Sequence, residues 1–334
     1  MHSIDIVIAW VDGDDPVHVE KRNAFRNQSG DAHSEAVVKT RFVNRGEIYY
    51  CIASVLKYAS FINKIWIISD NQRPAKLDAF AKAGLCSPDF IEVVDHKTVF
   101  RGLEEYLPTF NSLSIEAVAW RIPDLAEHFV YMNDDFFINR EIDASIFFAD
   151  GHPRLHGWYA NPSRKRTKIK VRKFLRKISR RPPNNRPSFR TAQELGARLA
   201  GVTNRFLHVG HHPHPMRTSV VDDFYAKHWD ILKSQVSYRF RSVEQYLPVS
   251  LSNHLELQLH GAKVEREFDV AYVKPSRADL NDRAFHDIRH DVSPYACIQS
   301  LDECSDRKLR SIRTLMEEKF SRYLPEEIKN ELNS

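Results

Sequence analysis

The chain has few cysteines, and their arrangement excludes the functions that depend on them. Only four occur among 334 residues, with no C-x-x-C pair. Neither a disulfide framework nor a cysteine metal cage is therefore indicated. We interpret all four as reduced, mostly structural thiols: Cys51, Cys86, Cys297 and Cys304.

Long hydrophobic runs are also missing. No stretch approaches the roughly 20 apolar residues that span a bilayer, and the N-terminal MHSIDIVIAWVDGDDP lacks the basic and apolar regions of a signal peptide. We therefore expect a cytoplasmic protein. With 42% hydrophobic and 28% charged residues the chain has an ordinary globular composition.

Several catalytic and architectural motifs are absent. The sequence has no G-x-S-x-G, no G-x-x-x-x-G-K-[ST] and no H-E-x-x-H, which argues against a serine hydrolase, a P-loop NTPase and a helical zinc site. It also has no internal repeat and no heptad array, which argues against a solenoid or a coiled coil.

The positive charge is concentrated in one segment. Residues 164–190 contain 13 Lys or Arg and no acidic residue, so the net charge of +5 becomes −8 without them. Interleaved apolar residues predict an amphipathic surface helix within a basic insertion at 160–195. Contact with an anionic membrane and contact with a polyanionic glycan both remain open. Nucleic-acid binding is disfavoured because the segment has few aromatic residues for base stacking.

The rest of the chain alternates strands and helices. Short runs rich in Ile, Val, Phe and Tyr predict strands at Ile4–Trp10, Ile65–Ser69, Ile91–Val94 and Phe129–Met132. Apolar residues at helical spacing predict a crossover helix over 46–61. We expect a Rossmann-like or GT-A-like α/β domain with a mostly parallel sheet flanked by helices, formed by 1–150 and 200–300, and a helical C-terminal part at 300–334.

Each predicted strand ends in polar residues: VDGDD, DNQ, DHK and NDD follow the four strands in order. In open α/β sheets, ligands bind outside the carboxyl ends of the strands, so these four ends can form one cleft. Asp134 and Asp135 follow the fourth strand and offer hard oxygen ligands for magnesium or manganese. The alternative is an Asx turn at a strand end.

Two further segments offer catalytic side chains. In VGHHPHP, His211 and His214 are candidate general bases, with a solvated histidine-rich loop as the alternative. In YRFRSVE, Arg239 and Arg241 can bind phosphate if the segment is extended, with an ordinary exposed edge strand as the alternative.

The motifs occur in an order that resembles the Stealth family. IDIVIAWVDGDDP resembles its first conserved block, and RFVNRGEIYYCIASVLKYASFINKIWIISDNQRPAKL resembles the second, which continues through LPTFNS to YMNDDFFIN. HHPHPM with FRSVEQ resembles the third block, and ACIQSLDECSDRKLRSIRTLMEEKF resembles the fourth. The resemblance implies a bacterial capsular polysaccharide phosphotransferase that uses a UDP-hexose, such as a UDP-N-acetylhexosamine, with Mg²⁺ or Mn²⁺, on the cytoplasmic side of the membrane.

A mechanism follows as a hypothesis: an acceptor hydroxyl attacks the β-phosphorus of the UDP-sugar, UMP leaves, and a phosphodiester forms. A metal on Asp134 and Asp135 and the Arg241 guanidinium would neutralise charge, and His214 or His211 would accept the proton. A conventional glycosyltransferase that releases UDP is the alternative. The substrate-binding candidates are Trp10, Asp12, Gly13, Asn71, Gln72, Asn111, Ser112, Glu116 and Arg239.

Overall fold

The computed structural model describes residues 2–28, 42–163, 188–266, 268–274 and 278–333. The strands are β1 (Ile4–Ala9), β2 (Lys64–Ser69), β3 (Ile91–Asp95), β4 (His128–Asn133), β5 (Phe136–Ile138), β6 (Phe148–Ala149), β7 (His152–Pro153), β8 (Leu155–His156), β9 (Trp158–Ala160), β10 (Phe206–His208), β11 (His214–Arg217), β12 (Val264–Glu265), β13 (Val270–Val273) and β14 (Tyr295–Ile298).

The α-helices of the described ranges are α1 (Pro16–Gln28), α2 (Glu47–Tyr58), α3 (Ala79–Lys82), α4 (His96–Val99), α5 (Ser112–Glu116), α6 (Phe189–Leu199), α7 (Thr218–Lys227), α8 (Trp229–Val236), α9 (Pro248–Leu259), α10 (Ala278–Arg289), α11 (Asp306–Phe320) and α12 (Glu326–Asn333).

A five-stranded sheet in the order β11-β4-β1-β2-β3 forms the centre of the fold. The four strands that the sequence predicts are its parallel members, and β11 pairs antiparallel with β4 at one edge. Successive side chains of β1 point to opposite faces, so Ile6 and Ile8 pack in one core and Val7 in the other. The α/β class with a mostly parallel sheet is confirmed.

Helix α2, predicted over 46–61, spans Glu47–Tyr58 and packs in the core on one face of the sheet. Gly46 adopts φ 88°, where a side chain is strained, and a Cβ would lie 2.1 Å from Leu332 Cδ2. The predicted C-terminal helices are α11 and α12, which pack in the same core as α2 through Met316 and Ile328.

The opposite face of the sheet is covered by α5 and by α7 to α9. Their contacts form a second core with Leu113, Tyr225, Leu232 and Leu255. Because both faces are buried, the strands are apolar along nearly their whole length. The polar groups of the sheet therefore collect at the ends of the strands.

Within the described residues, four smaller sheets accompany the central one. β5 pairs with β14 in a three-stranded sheet, and β9 pairs with β10 in an antiparallel ribbon. The basic helix predicted within 164–190 falls mainly on residues 164–187, which lie outside the described residues. No helix in the described ranges is both long and apolar enough to cross a membrane.

Candidate active site

A cleft of about 760 Å³ opens at the carboxyl end of the parallel strands. Each of the four strands contributes to it through residues at or just after its end, as the polar strand ends indicate. These residues are Ala9, Trp10 and Val11 after β1, Asp70 after β2, His96 after β3, and Asn133, Asp134 and Asp135 at the end of β4.

Asp134 and Asp135 form the turn between β4 and β5 and line the cleft half-buried. Burial raises the pKa of Asp134 to about 6, and burial together with the Asp134 charge raises the pKa of Asp135 to about 7. The Cys297 thiol donates to Asp135 Oδ2 at 3.7 Å. Asp135 Oδ1 is buried and has no hydrogen-bond partner, so one carboxylate oxygen of the pair remains available to a ligand.

Glu47 is a third carboxylate in this cluster, and the sequence reasoning missed it. It is the first residue of α2, its Oε2 accepts from Arg45 N at 2.6 Å, and it lines the cleft. Burial and then the Asp134 charge raise its pKa to about 8. Glu47 and Asp134 are 87 positions apart, so no spacing signal in the sequence indicates that they meet.

Both histidines line the same cleft, but in different settings. His214 begins β11 opposite Tyr131 of β4, where burial lowers its pKa well below 6.5, followed by effects of His212 and His211. It is therefore a neutral imidazole near pH 7. His211 stacks on Phe189 with ring centroids 4.9 Å apart. His214 thus belongs to a buried strand and not to a solvated histidine-rich loop.

Arg241 reaches the cleft beside α5. Its Nη2 donates to Ser112 Oγ at 2.6 Å. Burial raises the pKa of the Glu116 carboxyl, and the Arg241 charge opposes that shift. The resulting pKa is about 7, although Glu116 Oε1 accepts from Val249 N at 2.8 Å near the N-terminus of α9. Arg241, Ser112 and Glu116 are thus brought together as cleft residues.

Tyr131 lies within electrostatic range of these groups. Its hydroxyl is buried and makes no hydrogen bond within the described residues. Burial raises its pKa well above 10, followed by the charges of Glu116 and Asp134, while Arg241 opposes the shift. The Tyr131 hydroxyl therefore interacts electrostatically with both the acidic pair and Arg241. Because Tyr131 lies inside an apolar strand, the sequence gave no indication that it has a functional role.

The side chains of Asn111 and Arg239 are hydrogen-bonded to other groups of the protein. Asn111 caps α5 by accepting from Leu113 N, and its Nδ2 donates to Tyr238 O and Gln245 Oε1, each at 2.8 Å. Arg239 donates to the carbonyls of Glu105, Tyr106 and Pro108. Segment 238–244 is not a strand, and its two arginines point to different partners.

Asn111 lines the cleft, whereas Arg239 and four other predicted residues do not: Asp12, Gly13, Asn71 and Gln72. Gln72 bonds both backbone groups of Asp12, at 3.0 and 2.9 Å. Gly13 donates to Phe42 O at 2.7 Å, and a Cβ on it would lie 2.0 Å from that oxygen. Asn71 N donates to Asp95 Oδ2 at 2.7 Å. These contacts hold the strand-end loops together, and a substrate role for the four residues stays a prediction.

The cleft has a second polar region near β1 and β3. Trp10 Nε1, His18 Nδ1, both ring nitrogens of His96 and Thr109 Oγ1 are buried without hydrogen-bond partners. All four residues line the cleft, and burial lowers the pKa of His18 and brings that of His96 to about 4. These four side chains are therefore uncharged near pH 7, and Asp70 lines the cleft beside them. Of the four, the sequence indicated only Trp10.

No group of three or more His, Cys, Asp or Glu side chains that could hold a metal ion occurs within the described residues. Magnesium does not require such a cage, because it often binds through one or two carboxylates and substrate phosphates. The orphaned Asp135 Oδ1 beside the Asp134 carboxylate fits that mode of binding.

Two family models match the N-terminal half of the chain. Residues 2–30 match "Stealth protein CR1, conserved region 1", and residues 41–155 match "Stealth protein CR2, conserved region 2". The matches include β1 to β4 and the Asp134–Asp135 turn. The resemblance of the later blocks to the third and fourth Stealth regions stays a prediction.

Curated relatives carry names from polysaccharide synthesis. A capsular polysaccharide phosphotransferase of Actinobacillus pleuropneumoniae is 41% identical over 44% of this chain and 38% of its own length. An exopolysaccharide phosphotransferase of Streptomyces coelicolor is 31% identical over 81% of this chain and 27% of its own length. The chain thus spans well under half the length of these relatives.

Among solved structures, mouse xyloside xylosyltransferase 1 aligns over 86% of this chain and 93% of its own, with 11% identity and a TM-score of 0.38. The fold class follows from the sheet itself. The chain thus contains conserved regions 1 and 2 of the Stealth proteins and is similar to named capsular and exopolysaccharide phosphotransferases.

Proposed function

We propose that the protein transfers a hexose-1-phosphate, such as an N-acetylhexosamine-1-phosphate, from a UDP-sugar to a glycan hydroxyl in capsular polysaccharide synthesis. The acceptor oxygen forms a bond to the β-phosphorus, the bond from that phosphorus to the bridging oxygen breaks, and UMP leaves. The sugar C1–O bond stays intact, so the product is a phosphodiester.

One observation carries the proposal: the half-buried carboxylate pair with an unpartnered oxygen shares its cleft with Arg241 and His214. Phosphoryl transfer requires mainly positioning and charge neutralisation. A guanidinium held by Ser112 is suited to a phosphate oxygen because its planar fork donates two parallel hydrogen bonds. The names of the relatives agree with this class of reaction.

Of the two candidate bases we propose His214, which begins β11 and lines the cleft. Burial keeps its imidazole neutral, so a ring nitrogen can accept the proton of the acceptor hydroxyl. We expect His214→Ala to lower kcat strongly. His211→Ala should mainly remove the ring on which Phe189 stacks. Unchanged turnover in His214→Ala would exclude it as the base.

We assign the four uncharged side chains of Trp10, His18, His96 and Thr109 to the uncharged part of the donor. Their buried, unpartnered polar atoms can bond a nucleoside or sugar at little electrostatic cost. Asp134 and Asp135 would hold Mg²⁺ or Mn²⁺, which when bound neutralises charge on the diphosphate. In this proposal, the charged and uncharged parts of the donor would bind in different regions of one cleft.

The test is to incubate the protein with a panel of UDP-sugars and Mg²⁺, with and without glycan acceptors, and to separate the nucleotides by chromatography. The proposal predicts UMP. Release of UDP would instead support a conventional glycosyltransferase, which breaks the C1–O bond. Release of neither nucleotide from any donor would contradict both.

The proposal includes contact of the basic segment 164–190 with an anionic membrane or polymer, on the cytoplasmic side. Its 13 cationic residues motivate this role. Cosedimentation with phosphatidylglycerol vesicles should fall as salt rises, because exposed charges are screened. Salt-insensitive binding to both vesicles and polymer would contradict it.

A further inference from the structure

A row of aromatic rings runs from the candidate cleft to the surface. Trp158 of β9 stacks on His208 of β10, with ring centroids 4.5 Å apart and planes at 27°. Phe189 meets His208 edge-on at 6.1 Å and stacks on His211 at 4.9 Å. We name Trp158, His208, Phe189 and His211 the aromatic platform.

The platform is exposed at one end and continuous with the cleft at the other. Trp158 is 47% and Phe189 37% exposed, although both are large apolar side chains. Phe189 and His211 line the cleft that also holds Asp135 and His214. A ligand on the platform would therefore lead directly to the proposed reacting groups.

The strand register separates the platform from its exposed neighbour Tyr159. Trp158 pairs with His208, and Tyr159 pairs with Leu207. Adjacent residues in a strand point to opposite faces, so Tyr159 lies on the other side of the ribbon, where Arg205 covers its ring at 5.8 Å. Tyr159 is 45% exposed, nearly as much as Trp158, and is a matched control on the same strand.

We propose that the aromatic platform binds the acceptor glycan, with successive sugar rings stacked on Trp158 and Phe189. Exposed aromatic groups near a cleft are characteristic of binding surfaces. A sugar has an apolar C–H face that packs on an aromatic ring and a rim of hydroxyls for polar neighbours such as imidazole. This assignment rests on the proposed function, because a glycan is the substrate that must deliver a hydroxyl to this cleft.

The experiment is a binding screen of the whole protein on an array of bacterial surface oligosaccharides. Wild type should retain at least one oligosaccharide of several sugars, and Trp158→Ala should weaken that binding about tenfold, the size expected for the loss of one stacked ring. Trp158→Phe should retain most of the binding because it keeps a ring. Tyr159→Ala should bind like wild type.

Donor turnover keeps this inference distinct from the proposed function. In the absence of acceptor, water can attack the β-phosphorus in place of the glycan hydroxyl, which releases UMP and hexose-1-phosphate. The rate of this hydrolysis should be the same in wild type and Trp158→Ala, and the thermal unfolding of Trp158→Ala should match that of Tyr159→Ala. If wild type binds no oligosaccharide, or if Trp158→Ala and Tyr159→Ala lose binding equally, the platform is not the acceptor site. If wild type releases no UMP from any UDP-sugar when acceptors are present, the proposed reaction is wrong. The acceptor site is judged separately, from oligosaccharide binding on the array.

Discussion

Two sets of polar residues follow the strands of the same sheet, and their hydrogen bonding differs. Asp12 and Gln72, after β1 and β2, are bonded to each other through backbone and side-chain groups. Asp134 and Asp135, after β4, retain a buried oxygen without a partner and pKa values raised to about 6 and 7. Polar strand ends can therefore either close a loop or face a ligand, and the sequence pattern is the same for both.

The difference has an energetic cause. A satisfied hydrogen bond contributes roughly 0.5–1.5 kcal/mol to stability, whereas a buried charge without a partner destabilises the fold. Carboxylates that stay poorly solvated and close together are typical of functional sites. We therefore expect substitutions in the first set to lower stability and substitutions in the second to lower activity.

The largest effect should come from Asp135→Asn. It removes one ionisable carboxylate beside Asp134 and Glu47, and we expect kcat to fall about 10²-fold to 10³-fold, the size seen when one electrostatic contact to a transition state is lost. Stability should stay the same or rise, because a like-charge repulsion is removed. UMP release and thermal unfolding measure the two effects, with the exposed Asp89→Asn as the control. Near-normal turnover would remove Asp135 from the reacting groups.

Glu116→Gln tests the buried carboxyl beside Arg241 through pH. The folded-state pKa of Glu116, about 7, lies above the ordinary 4.5, so the folded protein holds the proton more tightly than the unfolded chain. Its contribution to stability is full below about pH 4.5 and is lost as pH rises towards 7, by up to about 3 kcal/mol. Relative to wild type, the variant should therefore gain stability between pH 5 and pH 8.

Thermal unfolding across that range measures the gain. Glu20→Gln, on the exposed side of α1, removes the same charge at a solvated position and should show no such trend. Parallel pH curves for wild type and Glu116→Gln would show that burial does not perturb this carboxyl.

The smallest effect should come from Gln72→Ala, in the loop set. The variant loses both hydrogen bonds to the Asp12 backbone, and we expect stability to fall by about 1–3 kcal/mol. Turnover of the remaining folded protein should change less than about threefold, since Gln72 does not line the cleft. A large rise in donor KM with normal stability would instead give Gln72 the substrate role predicted from sequence.

The sheet could be predicted because its strands are short, apolar and buried on both faces, and because Ile4–Ala9 and His128–Asn133 carry that pattern clearly. The convergence of their ends follows from parallel pairing. The roles of individual residues could not be predicted, because they depend on partners distant in sequence. Glu47 joins Asp134 across 87 positions, and Gln72 meets Asp12 across 60.

Tyr131 illustrates a different limit. It stands in an apolar strand and has the sequence context of a core residue, yet its buried hydroxyl lacks a partner near both acidic and basic groups. Only the three-dimensional arrangement shows this. His214 was indicated by composition, but its place in β11 and its burial determine that it is neutral.

The central claim is that the bond between the two phosphates breaks and the sugar C1–O bond survives. A UDP-sugar carrying ¹⁸O in the atom that joins C1 to the β-phosphorus tests it directly, with mass spectrometry of the nucleotide and of the glycan product. We predict that the label appears in the phosphodiester product and that the released UMP is unlabelled. Label recovered in UDP would show that the C1–O bond had broken and would contradict the mechanism.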